Sequence, residues 1–316
     1  MSTILVTGGA GFIGSHLCTS LLAKKHTVIC VDNFNDYYDP KYKKQNIKKA
    51  KKSNSFILKQ TDITNLLQLE KVFTKQPIDI VVHLAARAGV RPSIENPIIY
   101  EETNVRGTYH VLSLSQKYDV KKLVFASSSS VYGQNAVPFS ENMALHSPLS
   151  PYAATKIAAE SACYVWSTIH RLPITILRFF SVYGPNGRPD MAPYLFTDAI
   201  VHGKPITQIG DGSSARDWTY VHDIVEAIIL AMDLKTRFEI INLGNSAPIK
   251  LSTMIKTIEK ITGHKAIINQ VERSTGEVQT TWATIDHAKD ILHWSPKTSF
   301  ETGMKNFITW FTENRI

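Results

Sequence analysis

The chain has 316 residues, 43% hydrophobic and 20% charged, enough to bury a large core in one big domain or two modest ones. No apolar run is long enough to span a bilayer, and the first apolar residues lead into a glycine loop, so neither a membrane span nor a secretory leader is expected. The net charge of +8 could point to nucleic acid, but the lysines at 41, 43, 44, 48, 49, 51 and 52 account for seven of it, which leaves +1, and with only Tyr42 as aromatic company and no base-reading motif this run reads as a solvated helix face.

Residues 4–6 have the character of a short, buried parallel strand. They empty into Gly8, Gly11 and Gly14, with Phe12 and Ile13 opening an amphipathic segment, and a second apolar run at 28–31 ends at Asp32. Glycines let the backbone turn sharply and approach a pyrophosphate, and the free N–H groups of the following helix favour a diphosphate. An acid at the tip of the second strand can accept both hydroxyls of an adenosine ribose. Asp32 would repel a 2′-phosphate, and Asn33 rather than Arg follows it, so NAD is expected over NADP.

After a polar insertion, residues 56–58 lead to Asp62 and Ile63, placed for the adenine edge. An apolar strand at 78–84 ends in Leu84, Ala85 and Ala86, small enough to leave room for a cofactor. A long helical pattern covers 100–117 and carries Asn104. Residues 123–126 form the next strand and feed the run SSSSVYG from Ser127 to Gly133; a helix from Pro151 and a strand at 174–180 follow. Strands and helices alternating over about 180 residues predict an α/β fold, a doubly wound parallel Rossmann sheet with ligands at the strands' C-terminal ends. Beyond Gly184 a Pro- and Gly-rich loop precedes short strands (206–209, 240–243, 266–269) and helices (224–234, 251–262, 301–311). The expected division is an NAD-binding domain over 1–180 and a smaller, partly interleaved α/β substrate lobe over 181–316.

Tyr152 and Lys156 stand four apart and therefore on one helix face. A phenol must lose about three units from its usual value near 10 to act as a base at neutrality, about 4 kcal/mol, which a nearby ammonium and a partly desolvated site can supply. The serine run 24 residues upstream of Tyr152, at a strand end, is where a substrate hydroxyl would sit. Three cysteines (Cys18, Cys30, Cys163) lie in apolar contexts without metal spacing, which points to reduced thiols and a cytoplasmic protein. Eleven histidines are scattered, none at ligand spacing, so no metal is expected.

The motifs TGGAGFIG, HLAA, SSSSVYG, YAATK, RFFSVYGP and GDGSSARDWTYVHD occur in one order over nearly the whole chain. In that series the chain resembles the extended short-chain dehydrogenase/reductase family, and within it the nucleotide-sugar 4-epimerases. DNFNDYYDP, AGVR and RFFSVYGPNGRPDM make it most similar to the branch that acts on a UDP-uronic acid. The resemblance implies NAD as a retained cofactor, a UDP-sugar substrate, a homodimer built through residues 98–117 and 153–169, and polysaccharide biosynthesis as the setting. It implies Tyr152 as the base for the sugar 4-hydroxyl, Ser128 as its hydrogen-bonding partner, and Lys156 as the residue that holds the nicotinamide ribose and lowers the tyrosine's pKa. It implies Arg216 and Arg273 as diphosphate ligands and Arg188 as a residue that closes over the sugar. Arg91 is a further candidate, although Pro92 follows it where the family pattern has an aromatic. Glu277 stands where an Asp is commoner.

Related dehydratases carry an Asp–Glu pair after the catalytic Ser/Thr, and decarboxylases a Glu; Ser129 and Ser130 stand there in this chain. Elimination then lacks an obvious proton donor, and neutral donors suit a sugar carboxylate, which makes Ser129, Ser130 and Ser181 the expected contacts to C6. The competing readings are a 4-epimerase for a neutral UDP-hexose, and a catalytically silent NAD sensor. The second has little need for the intact Ser128, Tyr152 and Lys156.

Overall fold

In the computed structural model, which describes residues 1–272 and 278–315, the first apolar run is strand β1 (Thr3–Thr7) and the glycine turn opens helix α1 (Phe12–Ala23). Strand β2 (Thr27–Asp32), helix α2 (Pro40–Asn46), strand β3 (Phe56–Gln60), helix α3 (Leu66–Phe73) and strand β4 (Ile80–His83) follow. Helices α4 (Val90–Glu95), α5 (Pro97–Glu101) and α6 (Gly107–Lys117) lead to strand β5 (Lys122–Ser128) and the long helix α7 (Pro151–Ile169). Then come β6 (Ile174–Phe179), β7 (Ser181–Tyr183), α8 (Ala192–Val201), β8 (Pro205–Ile209), β9 (Ala215–Tyr220), α9 (Val221–Asp233) and β10 (Phe238–Leu243). The chain ends with β11 (Pro248–Lys250), α10 (Leu251–Thr262), β12 (Ile267–Val271), α11 (Asp286–Leu292) and α12 (Phe300–Arg315).

Seven strands form one sheet in the order β10-β6-β5-β4-β1-β2-β3. Every pair from β6 to β3 is parallel, with β1 between β2 and β4 (Ile4 opposite Val28 and Ile80). The order reverses at β1, so the β1 and β4 ends make the crevice where such sheets bind ligands. These strands are apolar along their length because helices cover them. Leu5, Val81, Leu123 and Ile176 are buried with Leu69, Val111 and Cys163 of the flanking helices.

The chain divides into two compact units. The first holds Met1–Asn135, Glu141–Phe179 and Val225–Ile241; the second holds Ala136–Ser140, Phe180–Ile224 and the described part of Asn242–Ile316. The second unit has a mixed sheet β11-β9-β7, antiparallel between β11 and β9 and parallel between β7 and β9, and a parallel pair β12-β8. Its core follows helical spacing: Met254, Ile255 and Ile258 from α10 meet Phe300, Met304, Phe307 and Phe311 from α12, with Tyr183 and Tyr220 from the strands.

Three expectations change. The predicted strand at 240–243 belongs to β10, at the edge of the large sheet beside β6, not to a small-lobe sheet; a four-residue apolar run says nothing of its distant partner. The helix expected over 100–117 is α5 and α6 joined by a π turn at Glu102–Arg106. The lysine run is not one solvated face: α2 is short, a 3-10 turn spans Ala50–Lys52, and Lys43 is buried.

Candidate active site

Three glycines make the first turn, each by a different constraint. Gly8 sits at φ +69°, donates its N–H to Val31 O at 2.7 Å, and has no room for a Cβ, which would stand 2.8 Å from Ala85 N. Gly11 is the N-cap of α1 without a side chain, and a Cβ on Gly14 would come 2.2 Å from Gly8 O. Phe12 is buried and Ile13 half-buried in the first turn. A backbone cradle that side chains would fill, at a helix N-terminus with free N–H groups, fits a diphosphate.

At the end of β2, Asp32 is 4% exposed. Its Oδ2 accepts the N–H of Ala10 at 3.2 Å; its Oδ1 accepts the N–H of Phe34 at 2.9 Å and the ammonium of Lys43 at 3.0 Å. Asn33 Nδ2 donates to Asp62 Oδ2 at 2.7 Å, while Thr64 donates its N–H and hydroxyl to Oδ1. Burial pushes the Asp62 carboxyl up, but these bonds outweigh it and hold the group below its ordinary value. Ile63 is buried and packs where Gly107 leaves space; a Cβ there would lie 2.6 Å from Ile63 Cδ1. Leu84, Ala85 and Ala86 continue β4 half-buried, and Ala85 donates its N–H to Thr7 Oγ1 at 3.2 Å.

Two polar bridges below this turn were not expected. His83 lies between Thr7 Oγ1 (2.6 Å) and Thr108 Oγ1 (3.1 Å), and burial pushes its imidazole down to about 3, so it is a neutral strut. Asn104, in the π turn, accepts the N–H of Arg87 at 2.8 Å and donates to Arg87 O at 2.9 Å and Thr155 Oγ1 at 3.0 Å. It ties the β4 loop to α7 and explains why the helix is interrupted there.

Helix α7 starts cleanly: Ser150 accepts the N–H of Ala153 at 3.1 Å and Pro151 occupies the first turn. Tyr152 is half-buried, its ring edge-to-face with Tyr100 at 6.2 Å between centroids. Lys156, one turn on, is buried; its ammonium donates to Ala126 O at 2.7 Å and stands 4.9 Å from the Phe125 ring centroid. Burial pushes this lysine down to about 8, with the Glu160 carboxylate pulling the other way. The bond to Ala126 latches the helix to β5, whose end carries Ser128. Ser128 caps the 3-10 turn Ser129–Tyr132, accepting the N–H of Ser130 at 3.1 Å, and α7 packs against that turn. Ser128, Ser129 and Ser130 are half-buried.

Behind the serines lies a buried ion pair that the sequence reading missed. Arg178 donates from Nε and Nη2 to the two Glu160 oxygens at 3.0 and 2.7 Å, and from Nη1 to Tyr132 Oη at 3.0 Å. Ser127 donates to Glu160 as well. The available signals were an acid one turn beyond Lys156 and an arginine inside the apolar strand ITILRF.

In the second unit, Ser181 opens β7 half-buried. Arg188 makes a two-point ion pair with Asp190, at 2.9 and 2.6 Å. Arg216 donates to Ala215 O at 2.9 Å and Gln279 O at 3.2 Å. Its neighbour Asp217 is fully buried and accepts the N–H groups of Asn245, Ser246 and Ala283; burial pushes its carboxyl up against those bonds. That anchor fixes β9, and alternation along the strand puts Arg216 on the other face. Arg91, in the first unit, is exposed on α4. Arg273 and Glu277 lie outside the described residues. Among the described residues no group of three or more His, Cys, Asp or Glu could hold a metal, and no helix is long and apolar enough to cross a membrane.

Comparison with known proteins bears on this geometry. The model of the NAD dependent epimerase/dehydratase family matches residues 4–244. A UDP-glucuronate 4-epimerase of Thermodesulfobacterium geofontis is 44% identical over 99% of this chain and 97% of its own length. The crystal structure of a UDP-glucuronic acid 4-epimerase from Bacillus cereus, with UDP-glucuronic acid and NAD, is similar at a TM-score of 0.93 and 36% identity, covering 98% of this chain and 99% of that one. A UDP-glucose 4-epimerase from Thermotoga maritima, solved with UDP-glucose, is similar at 0.91 and 32% identity, over 98% and 99% of the two chains.

Proposed function

The chain belongs to the NAD dependent epimerase/dehydratase family, and from that premise we propose that it is an NAD-dependent enzyme that interconverts UDP-glucuronate and UDP-galacturonate through a transient 4-keto sugar. The observation that carries the reading is the latch from Lys156 to β5, which sets the Tyr152 helix against the strand end bearing Ser128 with no carboxylate at 129–130. The first turn fits the cofactor: Gly8, Gly11 and Gly14, with Phe12 and Ile13, cradle the diphosphate, Asp32 and Asn33 meet the adenosine ribose, and Asp62 and Ile63 flank the adenine. Leu84, Ala85 and Ala86 would leave room for the nicotinamide half, and Tyr152 and Lys156 would hold its ribose. Reversible hydride transfer at C4 of the sugar is the chemistry that NAD supplies when bound.

Tyr152 takes the proton of the 4-hydroxyl as C4 is oxidised and gives it back when the ketone is reduced on its other face. Ser128 hydrogen-bonds the same oxygen and fixes it. Lys156 stabilises the phenolate that forms. Ser129 and Ser130 are donors to the C6 carboxylate, and Ser181 is a further candidate. A pinned carboxylate disfavours loss of CO₂ from the β-keto acid. Arg216 and Arg273 bind phosphate oxygens, for which a planar fork is suited. Arg188 and Arg91 are additional substrate contacts.

A homodimer through helices α5, α6 and α7 is part of this reading. It is supported by exposed apolar side chains along them, among them Ile98 (66% exposed), Val165 and Ile169 (69%). A cytoplasmic location and a role in supplying an activated uronate for polysaccharide synthesis complete it.

The test is incubation of the purified protein with UDP-glucuronate, without added NAD, followed by NMR of the sugar, with UDP-glucose run in parallel. Conversion to UDP-galacturonate is expected. Turnover of UDP-glucose alone would move the reading to a neutral hexose, and a UDP-pentose product would make it a decarboxylase.

A further inference from the structure

Six of the seven lysines between 41 and 52 are exposed, and Lys43 is the exception at 8%. The reason is local. Asp39 caps α2 by accepting the N–H of Lys41, Pro40 follows at the first helical position, and the short helix turns its inner face to the glycine turn. Two residues on that face, one turn apart, hold the turn. Asn46 Nδ2 donates to Ala10 O at 3.3 Å, and Lys43 Nζ reaches Asp32 Oδ1 at 3.0 Å, with the Tyr38 ring centroid 5.6 Å away.

The acceptor capacity of Asp32 then decides what the ribose meets. A carboxylate has about four acceptor positions. Three are taken, by the N–H groups of Ala10 and Phe34 and by Lys43. One position is left for a ribose hydroxyl, so Asp32 cannot accept both, as the sequence reading expected. The ammonium has three N–H donors and spends one on Asp32. Its remaining donors stand at the same strand tip.

We infer that Lys43 is a cofactor-binding residue: it donates to one hydroxyl of the adenosine ribose while Asp32 accepts from the other, and the balance of the two charges sets the choice between a 2′-hydroxyl and a 2′-phosphate. This rests on the dinucleotide reading of the turn. With both residues present the pair is neutral and offers a 2′-phosphate no net attraction. Without the aspartate, the same buried cation becomes an anion site.

The experiment measures nucleotide affinity, by calorimetry on protein stripped of nucleotide, for NAD and NADP separately. Wild type should bind NAD and discriminate against NADP; failure to bind either would sink the dinucleotide reading itself. K43M should weaken NAD about tenfold or more, the loss of one charge-assisted hydrogen bond, whereas K43R should stay close to wild type. D32S should favour NADP over NAD, and D32S/K43M should lose that preference. NAD binding by K43M at wild-type affinity, or an NADP preference in D32S that survives K43M, would overturn the inference. If K43M does not fold, K43Q, which keeps a donor without the charge, takes its place with NADP binding in the D32S background as the readout.

Discussion

Replacing Lys156 by Met removes an ammonium that the fold buries between α7 and β5. Burial lowers the lysine from its ordinary value of 10.5 to about 8. At 1.36 kcal/mol per unit, carrying that charge inside the fold costs about 3 kcal/mol. The cost is present in full below about pH 8, where the lysine is protonated both folded and unfolded. It fades as pH rises toward 10.5, because the folded chain gives up its proton first and the unfolded chain follows. Against this, Met leaves the buried Ala126 O without its 2.7 Å donor, a loss of about 1–3 kcal/mol. Glu160 keeps its two bonds from Arg178 and so is not left unpaired. The net expectation is that K156M, stripped of nucleotide, is at least as stable as wild type, by up to about 2 kcal/mol at pH 6.5, with the advantage gone by pH 10.5, while epimerisation is lost. Urea unfolding of both proteins at the two pH values, beside a turnover assay, measures this. A variant less stable than wild type at pH 6.5, or a difference that does not shrink with pH, refutes the reasoning.

Three further outcomes are expected. Glu160→Gln strands the buried Arg178 guanidinium and should cost about 3–5 kcal/mol, whereas E160M with R178M should recover much of that; strictly additive losses in a double-mutant cycle would contradict a coupled pair. Gly303→Ala places a Cβ 2.1 Å from Tyr183 Oη in the second unit's core, so its melting temperature should fall by the equivalent of about 1–3 kcal/mol, and an unchanged melting curve would show that α12 yields freely. Tyr152→Phe keeps the ring against Tyr100 and should lower turnover by about 10²–10⁴ with folding intact by circular dichroism; more than a tenth of wild-type turnover would remove it as the base.

What was legible in the sequence is what neighbours along the chain decide. The turn at Gly8, Gly11 and Gly14 could be read because Gly8 takes a positive φ in the turn itself and Gly11 and Gly14 close on Gly8 O a few residues away, and Tyr152 with Lys156 because helical spacing alone aligns them. Lys43 could not, since nothing in its side chain or immediate neighbours separates it from the six exposed lysines; only the strand tip that α2 folds onto does. The Glu160–Arg178 pair joins residues 18 apart on a helix and the next strand, a pairing that periodicity does not encode. The break in the helix at 102–106 follows from the Asn104 bonds to Arg87 and Thr155, not from any helix-breaking residue. The strand ending at Leu243 was visible, but its place beside β6 was not, because both sheets take short apolar strands.

The parallel sheet explains why the costly groups gather where they do. All strands from β6 to β3 run one way, so their first residues meet at one end of the sheet and their last residues at the other. The leading and middle positions include Ile4, Leu5, Val81, Leu123 and Ile174, buried and apolar, with Lys122 and Thr175 as the buried polar exceptions. The closing positions Thr7, Asp32, His83, Ser127 and Arg178 carry most of the buried polar or charged side chains of those strands, and Ser128 beside them is half-buried. Lys156 and Glu160 from α7 join them there. Burying such groups costs free energy unless each has a partner, and the apolar halves of the same strands offset that cost. Stability and chemistry are therefore separated mainly along the strands rather than between elements. An apolar truncation in the leading half, such as Ile4→Ala or Leu123→Ala, lowers stability without reaching the site. A change at a closing position acts on the site first, and, where it removes an unfavourably buried charge, can leave the chain more stable than it began.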